Sequence, residues 1–140
     1  MMISIDLALS LKESGLLWEP KLHDFFTVPD TPLERRLFVV SDMMIDVQQL
    51  FGKQMITFNG AVEWSLDYIT IAEAVWLPTE DQLRESLMQS LYGTAVPLIV
   101  LESTEQSFTC ELTIESKPFA FKAESAGDAY ARALLYMLRQ

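Results

Sequence analysis

The stretch "SFTCELTIESKPFAFKAESAGDAYARALLYML", residues 107–138, decides the fold class of this chain. In "SFTCELTIE" apolar residues alternate with polar ones around Cys110, and "PFAFKAE" follows after a short polar turn, so both segments are predicted as strands. Ser125 can then cap a helix whose apolar residues share one face. These residues are Tyr130, Ala133, Leu134 and Met137. Strands followed by an amphipathic helix predict an α+β arrangement.

A second helix and a further strand precede this stretch. Thr79 and Gln82 have the spacing of a capping box, and Gly93 lies where the helix is expected to stop. The apolar stripe between them consists of Leu83, Leu87, Met88 and Leu91. The run "VPLIVLES" (96–103) then predicts a strand. The second half, with the order helix, three strands, helix, is therefore expected to form a compact unit in which two helices cover one sheet.

The first half begins with a short amphipathic helix over residues 4–14, with Ser4 as N-cap and Gly15 just past its end. "FFTV" is predicted as a strand, and "DTPLERR" (30–36) as a turn or one helical turn. "LFVVSD", "IDVQQL" and "QMITF" are predicted to form a three-stranded antiparallel meander, with turns at Gly52-Lys53 and Asn59-Gly60. "AVEWSLDYITIAEAVWL" (61–77) is predicted as a strand followed by a loop.

These elements together predict a single α+β domain over residues 1–140. We expect a mostly antiparallel sheet of about six strands with three helices packed on it. No Gly-rich or Pro-rich linker divides the chain, and its 140 residues lie within the usual size of one domain.

Charge and composition exclude several classes of partner. The net charge is −10 and the pI is about 4.4, whereas binding to phosphate backbones depends on clustered Lys and Arg.

No apolar run is long enough for a membrane span. The opening segment carries Asp6 where a secretion signal would be basic, so we expect a cytoplasmic protein. The single cysteine, Cys110, excludes an internal disulfide.

The sequence also lacks the common catalytic motifs. It has no phosphate-binding loop, no dinucleotide-binding glycine motif and no nucleophile elbow. One His and one Cys do not make a structural zinc site, so no metal, cofactor or catalytic residue is predicted.

Four residues are candidates for contact with a ligand or a partner: Trp18, His23, Asp42 and Trp64. Aromatic and polar side chains of this kind line small-molecule pockets. The alternative is structural. Gly15 would end the first helix, Pro20 would fix the exit of the chain, and Trp18 would pack that corner against the sheet. His23-Asp24 makes a poor catalytic dyad, because neighbouring residues of an extended segment point to opposite faces.

Four stretches together resemble a family of short bacterial proteins without an established activity, which often carry an automatic label as pilus-assembly proteins. They are "SGLLWEPKLHDFFTVPD", "LFVVSDMMIDV", "GAVEWSLDYITIAEAVWLPTEDQLRESL" and "FKAESAGDAYARALLYML". A pilus-assembly ATPase would be expected to carry a phosphate-binding loop, which this sequence lacks. The resemblance implies a cytoplasmic protein and supplies no catalytic residues.

Two functions remain open at this point. One is a non-enzymatic interaction or accessory module that contacts an unknown protein partner, with homodimer formation as one form of contact, because half of the residues are hydrophobic. The other is a small-molecule-binding domain or enzyme with an aromatic-lined pocket around the four candidate residues.

Overall fold

The computed structural model describes residues 2–29, 37–40, 45–50, 52–58 and 68–140. Within these ranges the chain forms three α-helices and nine short strands. The helices are α1 (Ile5–Glu13), α2 (Glu80–Ser90) and α3 (Ala126–Leu138). The strands are β1 (Phe25–Thr27), β2 (Phe38–Val39), β3 (Ile45–Leu50), β4 (Lys53–Phe58), β5 (Tyr68–Thr70), β6 (Val75–Trp76), β7 (Leu98–Ser103), β8 (Phe108–Ile114) and β9 (Lys117–Ala123).

The strands are distributed over three antiparallel three-stranded sheets, β2-β1-β6, β3-β4-β5 and β7-β8-β9. The α+β class with three helices is therefore confirmed. Four of the nine strands have only two or three residues. The backbone forms two compact units: a terminal unit of Met1–Leu16 and Pro78–Gln140, and a central unit of Leu17–Leu77. That the whole chain is one domain stays a prediction.

Helix α3 is the centre of the terminal unit. It packs on β8 and β9, while α1 and α2 pack on α3. Seven of its thirteen residues are buried, which fits a helix with neighbours on several sides. Ala129, Ala131 and Ala133 are fully buried, and their small side chains let the neighbouring backbones come close. The predicted compact unit therefore exists, but it also contains α1 from the beginning of the chain, and the helix that packs on its sheet is α3, whereas α2 packs mainly on α3.

Each helix begins at the N-cap that the sequence predicted. Ser4 and Ser125 accept hydrogen bonds from the backbone N–H groups of Leu7 and Asp128. At α2 the capping box is complete: the Thr79 N–H donates to Gln82 Oε1 at 2.9 Å, and the Gln82 N–H donates to Thr79 Oγ1 at 3.3 Å. These bonds satisfy N–H groups that have no partner within a helix.

Two contacts bring α1 to α3. The Ser4 N–H donates to Asp128 Oδ1 at 2.8 Å, and Arg139 Nε donates to Ser14 Oγ at 3.4 Å. Between them, Ala8 and Leu11 are buried on the inner face of α1. Gly15 follows at φ +104°, a left-handed conformation that glycine adopts without a steric penalty.

The strand pairing in the central unit differs from the predicted three-stranded meander. Strands β3 and β4 do form a hairpin, with Leu50 opposite Lys53, and β5 joins β4 as the third strand. The described part of the run "LFVVSD", residues 37–40, does not belong to this sheet. Its strand β2 pairs with β1 instead, with Phe38 opposite Phe26. The physical reason is that alternation of apolar residues indicates a strand without indicating its partner. The predictions for residues 30–36 and for the start of the strand at 61–67 lie outside the described residues. The loop predicted to follow that strand is partly wrong, because it contains the short strand β6, which pairs with β1.

Candidate functional site

The segment that contains Trp18 forms a closed corner in the central unit. The Asp24 carboxylate is buried, and its Oδ2 accepts hydrogen bonds from Trp18 Nε1 at 3.0 Å and from the Lys21 N–H at 3.1 Å. The Trp18 ring packs on Phe26 of β1 with 5.5 Å between ring centroids. Trp18 therefore packs its corner against a strand, as the structural alternative predicted, and its only polar atom already has a partner.

His23 lies on the outside of this corner. Its side chain is exposed, and its backbone has φ +73°, in the left-handed region that histidine adopts more readily than most residues. The His23 N–H donates to the Val40 carbonyl at 2.8 Å, and the Val40 N–H donates to the Asp24 carbonyl at 2.9 Å. Asp24 is buried and His23 is exposed, and His23 lies in a turn rather than in the extended segment that the sequence predicted.

The structure thus describes two of the four predicted site residues. Trp18 and His23 lie on either side of the Asp24 corner, with Trp18 half-buried and His23 exposed. Asp42 and Trp64 lie outside the described residues, so the convergence of all four on one site stays a prediction.

An aromatic row crosses the small sheet of β2, β1 and β6. Phe38, Phe26 and Trp76 lie opposite one another in register, and the rings of Phe26 and Phe38 stack with 5.3 Å between centroids. Trp76 Nε1 is buried and has no hydrogen-bond partner among the described residues. Because buried polar groups are nearly always paired, this N–H is a donor for which the described residues supply no acceptor.

The terminal unit carries an exposed apolar segment that sequence reasoning missed. We call residues 92–100, which lead from α2 into β7, the edge segment. Its exposed apolar side chains and their exposed fractions are Tyr92 (92%), Val96 (84%), Leu98 (50%) and Val100 (40%). Val96 has φ +47°, which is rare for a β-branched residue and stores backbone strain. Strain and apolar exposure in one segment are more typical of a functional surface than of a loop that only connects.

A sequence signal for this segment existed, but it is ambiguous. The run "VPLIVL" is continuously apolar, which normally indicates a strand buried on both faces. In the structure Leu98 and Val100 are exposed, while Ile99 and Leu101 between them are half-buried. One face of β7 is therefore more open than its composition suggests.

A polar groove of about 620 Å³ lies at the other end of the same sheet. Its charged lining residues are Lys122, Glu124, Asp128 and Arg132. Their charges balance, and the Asp128 carboxylate already accepts the Ser4 N–H. The groove therefore favours neither an anion nor a cation.

Two titratable groups are buried in the core of the terminal unit. Burial raises the pKa of the Cys110 thiol to about 11. Burial also raises the pKa of the Tyr130 hydroxyl, with a smaller contribution from Cys110. Both groups stay protonated at neutral pH, which makes Cys110 a poor nucleophile or metal ligand there. Across the described ranges, no three His, Cys, Asp or Glu side chains are grouped so that they could hold a metal ion.

Comparisons with known proteins add no relative, since no family model, curated protein or solved structure matches the chain. The resemblance to short bacterial proteins stays a prediction. Among the helices that the structure describes, none combines the length and apolarity needed to cross a membrane.

Proposed function

We propose that this protein is a non-enzymatic interaction or accessory module that contacts another protein through its surface. The observation that carries the proposal is the edge segment, residues 92–100, which exposes four large apolar side chains next to a sheet edge. Several large apolar side chains exposed within nine consecutive residues are a feature that contact surfaces show more often than connecting loops do.

Charge supports the same proposal and restricts the partner. With 20 acidic and 10 basic side chains, the chain attracts basic proteins and repels nucleic acid. We further propose that the protein acts in the cytoplasm, where a thiol such as that of Cys110 stays reduced. Cell fractionation with an antibody against the chain checks this location.

The test is affinity purification of the tagged full-length chain from the organism that produces it. The double variant Leu98→Lys and Val100→Lys should lose a protein that the unchanged chain retains. The matched control is Leu17→Lys with Leu22→Lys, which makes the same kind of change at two exposed leucines of the central unit. The control should retain the same protein. If both double variants retain the same set of proteins, the edge segment is not the contact surface and the proposal fails.

A small-molecule-binding function is the second candidate. The buried Trp76 N–H, which lacks an acceptor among the described residues, favours it, as does its position beside Phe26. Native mass spectrometry of the chain purified from its own cells tests it. A small adduct that Trp76→Phe removes would support a ligand at this indole. A bare chain in both samples would contradict it.

A further inference from the structure

Strand β7 has a free edge. It pairs with β8 on one side, and on its other side no strand of the described residues pairs with it. The Thr104 N–H donates to the Ser107 carbonyl at 2.8 Å where the hairpin turns. Since bonded and non-bonded pairs alternate along an antiparallel ladder, the N–H and C=O groups of Ile99, Leu101 and Ser103 point away from β8. The edge therefore offers three successive docking positions to an extended segment.

This edge lacks the usual protection against pairing. Proteins that keep edge strands unpaired place lysine or proline on them or distort them with bulges. Strand β7 contains neither residue within Leu98–Ser103, pairs with β8 over six residues without a break, and has Glu102 as its only charge; Pro97 precedes it and restricts pairing only before Leu98. Its amide groups and its exposed Leu98 and Val100 are therefore open to a strand from another chain.

The open face next to this edge has a distinct pattern. Leu98, Val100 and Glu102 point to the same face of β7, because side chains alternate along a strand. Val100 lies opposite Glu111 of β8, and both glutamates are exposed. A segment added at the edge would therefore meet two apolar positions followed by an acidic one. On the neighbouring strand β8, Glu111 adds a second carboxylate to the same face.

We propose that β7 binds an extended segment of a partner protein by strand addition. The segment carries apolar side chains opposite Leu98 and Val100 and a lysine or arginine opposite Glu102. Cross-strand apolar pairs and opposite charges both stabilise such pairing, and main-chain hydrogen bonds at Ile99, Leu101 and Ser103 supply the remainder. This inference rests on the proposed interaction function and names the chemistry of the partner.

A second copy of this chain fits the edge less well. If two β7 strands pair antiparallel about Val100, each Glu102 lies opposite a leucine, and the two chains, each with a net charge of −10, repel one another. A segment with both apolar and basic side chains matches the two apolar positions, Leu98 and Val100, as well as the acidic position, Glu102.

The test uses the full-length protein labelled with ¹⁵N and an acetylated, amidated peptide of sequence Ser-Lys-Thr-Val-Thr-Val-Thr. We expect the peptide to shift the amide signals of Ile99, Leu101 and Ser103 and to slow their hydrogen exchange. A peptide with glutamate in place of lysine should bind about fivefold more weakly or worse. A peptide N-methylated at the amides that face β7 should not bind.

A charge exchange makes the test independent of fold stability. Glu102→Lys should reverse the preference, so that the glutamate peptide binds more tightly than the lysine peptide. Glu105→Lys is the matched control, because it makes the same charge change in the neighbouring turn outside β7 and should keep the original preference.

Three results would overturn strand addition. The first is that the peptide shifts only amide signals of residues other than Ile99, Leu101 and Ser103, and the second is that Glu102→Lys still prefers the lysine peptide. The third is that concentrating the protein without peptide shifts the same amide signals, which would indicate pairing with a second copy. If the lysine variants of Leu98 and Val100 still lose a partner in affinity purification, the interaction function stands and only strand addition fails. If they lose none, both fail.

Discussion

The buried Asp24 carboxylate shows how one side chain holds an irregular segment. Residues 17–24 form no regular strand or helix, so their polar groups need other partners. Asp24 meets this need by accepting one hydrogen bond from an indole and one from the backbone. The sequence singled out Trp18 at this corner but paired Asp24 with His23, because adjacency is visible in a sequence and a contact across six residues of irregular chain is not.

Replacing Asp24 by Ala should lower the free energy of unfolding by about 2–4 kcal/mol, because it leaves the Trp18 and Lys21 N–H groups without their shared acceptor. Asp24→Asn keeps one acceptor oxygen and should cost less. Urea unfolding followed by tryptophan fluorescence measures both. Glu19→Ala, at an exposed carboxylate of the same segment, is the control and should change little. Equal losses for Asp24→Ala and Glu19→Ala would contradict this account.

Cys110 should make the protein less stable at high pH. Its pKa in the folded protein is about 11, above that of a thiol in an unfolded chain. As the pH rises from about 9 to 11, the unfolded state loses this proton first, and stability falls by up to about 2–3 kcal/mol. Tyr130, whose pKa is also raised, adds in the same direction.

Urea unfolding at pH 8, 9 and 10 checks this dependence, with Cys110→Ala as the comparison. The variant should lose stability less steeply over this range, because only the tyrosine contribution of the buried pair remains. If the free energy of unfolding falls equally steeply with pH in both proteins, the Cys110 thiol does not contribute to the pH dependence of stability.

At the scale of elements, local chemistry predicted where helices and strands lie. Caps at Ser4, Thr79 and Ser125 and the left-handed Gly15 involve neighbouring residues only, and all are found as predicted. The sequence did not indicate which strands pair with one another. Strand β2 joins β1 because the backbone groups of Val40 bond to those of His23 and Asp24, which no periodicity within "LFVVSD" indicates. The exposure of β7 was missed for a related reason, since it depends on which elements cover the sheet.

The small residues of α3 should be intolerant of added volume. Ala131→Leu keeps high helix propensity but inserts a branched side chain at a fully buried position, so it should destabilise the protein by about 1–3 kcal/mol. Arg132→Leu makes the neighbouring change on the exposed side and should stay within about 0.5 kcal/mol. Thermal unfolding of both variants, followed by circular dichroism, distinguishes them. Similar melting temperatures would show that α3 is packed less tightly than its burial indicates.

At the scale of the whole molecule, the sequence indicated a compact second half but neither a separate central unit nor the place of α1 among the later elements. Contacts between residues more than a hundred positions apart, such as Ser4 with Asp128, leave no periodic trace in a single sequence. The same limit applies to the predicted site. Trp18 and His23 lie on one segment, whereas any convergence with Asp42 and Trp64 depends on long-range packing.

Leu11→Ala tests whether the chain is one cooperative domain. Leu11 is fully buried on α1, so its truncation should cost about 2–5 kcal/mol. If residues 1–140 form one domain, native-state hydrogen exchange should show the same loss of protection for the slowest amides of α3 and of β1. A loss confined to the terminal unit would show that the two units unfold separately. Leu17→Ala, at an exposed leucine, is the control and should leave both unchanged.

The hydrogen bond from Ser4 to Asp128 joins residues 124 positions apart, which has a consequence for synthesis. At about 5–20 residues per second, a ribosome needs roughly 6–25 s to make the chain between them. During this time α1 has been translated while α3, against which Ala8 and Leu11 pack, does not yet exist. A nine-residue helix is marginal alone, so its apolar face stays open to chaperones while the central strands are being made.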